Sequence, residues 1–166
     1  MASDWTYGSL QDMTNGGSDD LTDIDVITGL GSSLVSVQVL FYLFSTNSAN
    51  SALLLQLGDS GGYETSGYTW SCSFTSTTQV VTNGFLHSPD SGHDAADTAS
   101  GVYDIWRYND SANLWFCRFC GNETTKNSVR QGSGVKTLSG NLTKIQATTT
   151  NGTATFDGGT IIARYR

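Results

Sequence analysis

The sequence predicts an all-β protein: a jelly-roll-like antiparallel β-sandwich with an irregular N-terminal arm. Three observations lead there. Charged residues are only 14% of the chain, against a usual share of about 25%, and Ser, Thr, Asn and Gly fill the gap. Apolar residues recur in strand-length runs, several with period two, which suits a half-buried strand. No segment repeats apolar residues at helical spacing, whereas turn residues punctuate the chain throughout, as in sandwiches and jelly rolls. With 166 residues, the chain suffices for one domain with a sizeable core. The expected organisation is an arm over residues 1–20 and a sandwich over 21–166.

Residues 1–20 are polar, contain Asn15-Gly16-Gly17, and offer Trp5, Tyr7, Leu10 and Met13 as anchors. Strand character begins at Leu21–Ile27 and strengthens at Leu34–Phe44. There Val35, Val37, Val39, Phe41 and Leu43 share one face. The opposite face starts polar (Ser36, Gln38) and turns apolar (Leu40, Tyr42, Phe44). A strand that is dry on both faces over part of its length needs a cover there, either a loop of this chain or a second subunit. Ala52–Leu57, Thr65–Phe74 and Gln79–His87 are further strands. Residues 88–100, with Pro89 and Gly92, form a surface loop. Val102–Tyr108 and Leu114–Phe119 make a hairpin around Asn109-Asp110-Ser111-Ala112-Asn113. Gly132–Gly134 breaks the chain. Leu142–Thr149 and Thr153–Phe156 flank Asn151-Gly152, a strong hairpin signal because both positions tolerate positive φ. Ile161–Tyr165 is the closing strand.

The net charge of -7 opposes a nucleic-acid binder, which needs a basic stripe against phosphates. Charge is unevenly placed: all twelve carboxylates before Arg107 precede any Lys or Arg, and eight basic residues then face Asp110, Glu123 and Asp157. An acidic arm that left its own domain would seek a basic surface on a neighbour; a plainly solvated acidic segment is the alternative. The N-terminus has neither a basic region nor an apolar stretch, so no secretory signal is expected. No run reaches the ~18 apolar residues of a membrane span. Synthesis in a reducing cytoplasm, with Cys72, Cys117 and Cys120 as free thiols, follows.

Few motifs could carry chemistry. Gly58-Asp59-Ser60-Gly61-Gly62 spells the loop around a chymotrypsin-like nucleophile, but His87 and His93 both follow Ser60, and too little chain precedes it for the first barrel. It is expected to be a turn, with Asp59 and Ser60 bonding backbone groups. Cys117-Arg118-Phe119-Cys120 has Cys-x-x-Cys spacing, yet in a strand positions three apart face opposite sides. Two small buried thiols are the expectation, and a zinc site completed by Cys72 and a histidine is the alternative. Asp19, Asp20, Asp23 and Asp25 lack the glycine and distal glutamate of a calcium loop. His87 and His93 flank the loop at Pro89 and are expected to be solvated. Trp70, Trp106 and Trp115 are either core or a sugar-stacking shelf. Asp94, Asp97 and Asp104 are available for glycoside cleavage, but nothing marks two of them as a pair. No enzyme, metal or cofactor is expected.

Two stretches carry a resemblance: Leu53–Tyr68, LLLQLGDSGGYETSGY, and Leu138–Tyr165, LSGNLTKIQATTTNGTATFDGGTIIARY. Together they resemble a β-sandwich domain of tail-fibre and other virion proteins of tailed bacteriophages and prophages. That family has a Leu-Gln-Leu-Gly-Asp strand end, a Gly-rich turn, a Thr-rich hairpin and an aromatic-Asp-Gly turn before its last strand. The match spans most of residues 24–166, with 70–135 alike only in style, and the ending Arg164-Tyr165-Arg166 is more basic than the family's. The resemblance implies a non-enzymatic virion structural protein made in the host cytoplasm. Its expected role is capsid decoration or cement: a homotrimer on the head exterior, bound to the major capsid protein. The alternative is a tail-fibre or tail-tip receptor-binding protein that contacts tail proteins and host glycan. In the first role Trp5 and Tyr7 belong to the docking arm, and Leu40, Tyr42 and Phe44 lie near a subunit seam.

Overall fold

The computed structural model describes residues 4–13, 23–31, 33–74, 77–89, 94–109 and 111–166, and its regular elements there are all strands. They are β1 (Thr6–Tyr7), β2 (Gln11–Asp12), β3 (Asp23–Ile27), β4 (Ser36–Thr46), β5 (Leu53–Asp59), β6 (Gly62–Tyr63) and β7 (Tyr68–Phe74). There follow β8 (Thr77–Val81), β9 (Phe85–Leu86), β10 (Ala99–Asn109), β11 (Leu114–Glu123), β12 (Ser128–Thr137), β13 (Lys144–Thr149) and β14 (Phe156–Tyr165). The larger sheet has nine strands in the order β1-β14-β4-β10-β11-β12-β7-β8, with β2 also on β14. The smaller has five, β3-β13-β5-β6, with β9 on β5. All pairings among them are antiparallel. The expected all-β sandwich is what forms.

Alternation explains how the sheets meet. Val37, Val39 and Phe41 of β4, Tyr103 and Ile105 of β10, and Trp115, Cys117 and Phe119 of β11 all turn inward and are buried. They meet Leu53, Leu55 and Leu57 of β5 and Ile145 and Ala147 of β13 in one core. Polar tips of large rings bond the opposite sheet, so each ring buries its body without losing its hydrogen bond. Trp70 Nε1 donates to the Leu86 carbonyl at 2.9 Å, Tyr103 Oη to the Phe85 carbonyl at 3.1 Å, and the Leu57 N–H donates to Tyr68 Oη at 2.7 Å.

Several expectations change. Gly132–Gly134 does not break the chain: β12 runs through it, between β11 and β7. Its inward positions are Gly132 and Gly134 because Trp70 lies across them; a Cβ at Gly132 would sit 2.4 Å from Trp70 Cζ2, and one at Gly134 2.0 Å from the Thr69 carbonyl oxygen. Asn151-Gly152 does not close a hairpin either, since β13 and β14 belong to different sheets. Asn151 Oδ1 instead accepts from the N–H groups of Thr153 and Ala154 at 3.0 and 2.8 Å, and the chain crosses from one sheet to the other. Asp157-Gly158-Gly159 is not a turn before the last strand but a bulged part of β14, which starts at Phe156.

The face assignment of β4 is corrected at Leu43, which has a positive φ of 52°. This bulge advances the alternation by one, so Phe44 joins Phe41 in the core, their rings 5.5 Å apart, while Tyr42 stays outside. Gly159, at φ 97°, lies against the same bulge: a Cβ there would come within 2.6 Å of Phe44 Cα. Val35 precedes the strand and is exposed. The segment expected as an irregular arm is, over residues 4–13, laid along the edge of β14. Thr6 and Tyr7 pair Tyr165 and Arg164, Gln11 and Asp12 pair Ile161 and Thr160, and Met13 is buried in the core. Residues 14–20 lie outside the described residues.

Candidate ligand-binding face

The outward face of the larger sheet carries an organised polar row. Directly opposed residues on adjacent antiparallel strands point to the same side, and the register aligns Tyr7 (β1), Arg164 (β14), Gln38 (β4), Asp104 (β10) and Arg118 (β11). Four inter-strand steps make the row about 19 Å long at ~4.8 Å per step. Its members are hydrogen-bonded in sequence. Arg164 donates to Tyr7 Oη at 3.4 Å and through Nε to Gln38 Oε1 at 2.6 Å. Gln38 Nε2 donates to Asp104 Oδ1, and Arg118 Nε donates to Asp104 Oδ2 at 2.9 Å. Both carboxylate oxygens of Asp104 are therefore occupied. Beyond Arg118 the row continues into Ser133 (β12) and Ser71 (β7).

Tryptophans support the arginines of this face. The guanidinium carbons of Arg164 and Arg166 both lie 4.8 Å from the Trp5 ring centroid, and that of Arg118 lies 5.8 Å from Trp106. Trp106 in turn packs on Phe116, centroids 4.8 Å apart. Stacking of this kind restrains a guanidinium while leaving its outer edge to bind. Arg118 is open, with 65% of its side chain exposed, while Asp104 beneath it is at 15%. On one side of the row lie Ile162, Leu40 and Val102, aligned across β14, β4 and β10. Two depressions meet at the Asp104–Arg118 pair. One, of about 360 Å³, runs between Trp5, Ser36 and Trp106; the other, of about 630 Å³, extends over Cys120, Gln131, Ser133 and Ser73.

Of the residues proposed from the sequence, Trp5, Tyr7, Leu40 and Tyr42 therefore share this face, and Phe44 does not. Tyr7 and Tyr42 are well exposed. Sequence reasoning missed Gln38, Asp104, Arg118 and Arg164 as a group, because their alignment depends on the register of β14 and β4 with the β10–β11 hairpin, which lie far apart in sequence. The basic ending Arg164-Tyr165-Arg166 was the one visible hint.

The remaining candidates are structural. Ser60 is exposed at the β5–β6 turn, where Asp59 Oδ1 accepts from the Gly61 N–H at 2.7 Å, whereas His87 is fully buried. The Ser139 hydroxyl, with that Gly61 N–H, holds the Asp59 carboxyl below its ordinary value. His87, expected in solvent, packs against Phe44 at 4.8 Å, and its Nδ1 accepts from the Leu53 N–H at 3.1 Å. His93 lies outside the described residues. Residues 88–100 are not wholly surface: Ser88, Pro89 and Asp97 are buried. Cys117 is buried and burial pushes its thiol up, but Cys120 is exposed on the outer face, so the expectation of two buried thiols holds only for Cys117. The two cysteines point to opposite sides, and among the described residues no His, Cys, Asp and Glu cluster of metal-binding size occurs. Trp70 and Trp115 are core, and only Trp106 of that trio reaches the outer face. Asp25 bonds the Tyr63 hydroxyl at 2.5 Å; Asp19 and Asp20 are outside the described residues.

A second charged cluster lies at one end of β11 and β12. Arg130 pairs with Glu123, both side chains wholly inaccessible. Lys126, in the turn between them, reaches Asp97 at 2.6 Å, Asp94 at 3.0 Å and Glu123 at 3.3 Å. Burial would raise the Asp97 carboxyl, but bonds from Glu123, Lys126 and Thr125 outweigh it and hold the group well below the carboxylate range. Burial and the Asp97 hydrogen bond push Glu123 the other way, upward. Only the Arg130–Glu123 pair is closed to water, while Lys126 and Asp94 stay accessible; the ion pairs from Lys126 tie Asp94 and Asp97 to the turn between β11 and β12.

No protein-family model matches the chain, and neither the curated proteins nor the solved structures include one with significant similarity to it.

Proposed function

We propose that this chain is a non-enzymatic structural protein of a tailed-phage particle, displayed on the particle surface and acting through the outer face of its nine-stranded sheet. The phage assignment rests on the sequence resemblance, as does the jelly-roll-like wiring it implies. The observation that carries the functional reading is the hydrogen-bonded row Tyr7–Arg164–Gln38–Asp104–Arg118, with its arginines laid on tryptophans. Such a row is preorganised for binding, and its carboxylate has both oxygens engaged, which leaves it poorly suited to proton transfer. This favours a receptor-binding module at the tail.

Head decoration, as a trimer on the capsid exterior, is supported by a different feature. Tyr42, 64% exposed, continues the apolar side of the face formed by Leu40 and Ile162, a surface suited to a seam between proteins. Labelling intact virions with antibody to this chain distinguishes the two. A few copies at the tail are expected for receptor binding, and many copies over the head for decoration. Absence from purified particles would remove both.

A further inference from the structure

We propose that the outer face binds an anionic polysaccharide, laid along the Tyr7–Arg118 row with its charged groups on Arg118, Arg164 and Arg166. This deepens the reading of that face as the working surface and rests on it.

Charge is the first argument. The chain carries a net charge of -7 and only eight basic residues, yet three of them gather on this face beside Asp104. Concentrating scarce positive charge on one face of an acidic protein attracts an anion there and repels it elsewhere. Preorganisation is the second. Each of these arginines lies against Trp5 or Trp106, and Arg164 and Arg118 are also tethered through Nε to Gln38 and Asp104. Little side-chain freedom remains to be lost on binding, and the guanidinium fork is suited to bidentate contact with carboxylate or sulfate. Shape is the third. The row is about 19 Å long at ~4.8 Å per strand step and lies on an open sheet, with depressions on both sides of Asp104–Arg118. An extended polymer fits this better than a compact ligand. Ser71, Ser73, Gln131 and Ser133 line the farther depression with groups that bond hydroxyls.

The test uses the full chain and three immobilised polymers: polygalacturonate, dextran sulfate and neutral dextran. Retention on either polyanion but not on dextran, weakening with salt, is expected, and which polyanion is held identifies the charged group. Arg118→Gln and Arg164→Gln should each weaken retention at least tenfold. Trp106→Ala should do the same by releasing Arg118, whereas Val129→Thr, exposed on the same sheet but lining neither depression, should not. Urea midpoints of all variants show whether the fold is intact, and Arg118→Lys provides a milder variant with the charge kept but the fork lost. Equal retention on dextran, no retention on either polyanion, or folded arginine variants that bind normally would each overturn the proposal. Virions carrying Arg118→Gln/Trp106→Ala separate this outcome from failure of the underlying reading. If they adsorb poorly to cells although the protein holds no polyanion, the face still works and only the ligand class is wrong. If they adsorb normally, the face is not the working surface.

Discussion

Gly132 and Trp70 show how one absent side chain shapes the core. The Trp70 ring lies where a Cβ of residue 132 would be, 2.4 Å from Cζ2, and the ring is held by its bond to the Leu86 carbonyl. Gly132→Ala should therefore destabilise the protein by about 1–3 kcal/mol, as overpacking does, and by less in a Trp70→Phe background; urea unfolding of the four proteins measures the coupling. Arg130 and Glu123 pose the opposite problem, a charge pair with no access to water. Removing one partner of a buried pair strands the other and costs about 3–5 kcal/mol. Arg130→Met should fall in that range, and Arg130→Met/Glu123→Gln should recover at least half of it. The same groups set the acid behaviour. Glu123 is raised in the fold, so its contribution grows as pH falls from neutrality toward the ordinary glutamate value near ~4.3. Asp97 is depressed, so its contribution is complete above the ordinary aspartate value near ~3.9 and is lost as pH falls below it. Urea midpoints measured against pH should rise on mild acidification and then fall, and Glu123→Gln should abolish the rise.

Bulges decide what the strands present. Leu43 sits in the left-handed region at φ 52°, which branched side chains avoid most strongly. Leu43→Val should cost about 1–2 kcal/mol on that ground, whereas Leu43→Asn, a residue that visits this region readily, should be tolerated; thermal unfolding distinguishes them. The purpose of the bulge is visible in its neighbours. It sends Phe44 inward to His87 while Tyr42 remains outside, so one strand serves both the core and the outer face. β12 makes the same point. With Arg130, Gly132, Gly134 and Lys136 facing inward it has none of the apolar alternation of a core strand. It belongs there because Trp70 fills the space its glycines leave, and because its two cations have partners in Glu123 and Glu64.

For the molecule as a whole, residues 4–13 matter most. They cover the edge of β14 and bring Met13 into the core, as well as placing Trp5 and Tyr7 beside Arg164. Deleting residues 1–13 should lower the melting temperature and expose β14 as an open edge, a template for pairing with other chains. Differential scanning calorimetry and light scattering should show the loss of stability and the association together. A freely detachable docking arm would instead leave the melting temperature unchanged. The outer-face variant Arg118→Gln should leave it nearly unchanged as well, since exposed polar contacts contribute little to stability.

From the sequence alone, the all-β class, the β10–β11 hairpin, the β5–β6 turn and most inward-facing residues of β4, β5 and β11 could be read. Each depends on local alternation and turn chemistry, which are properties of neighbouring residues. What the tertiary structure decided is everything that joins residues far apart in the chain. It alone placed Gly132 under Trp70, carried the segment at Asn151-Gly152 across to the second sheet, buried His87 among phenylalanines, and aligned Tyr7, Arg164, Gln38, Asp104 and Arg118 in one row. Strand order and register arise from long-range pairing, and a row across five strands cannot be read from the composition of any one of them.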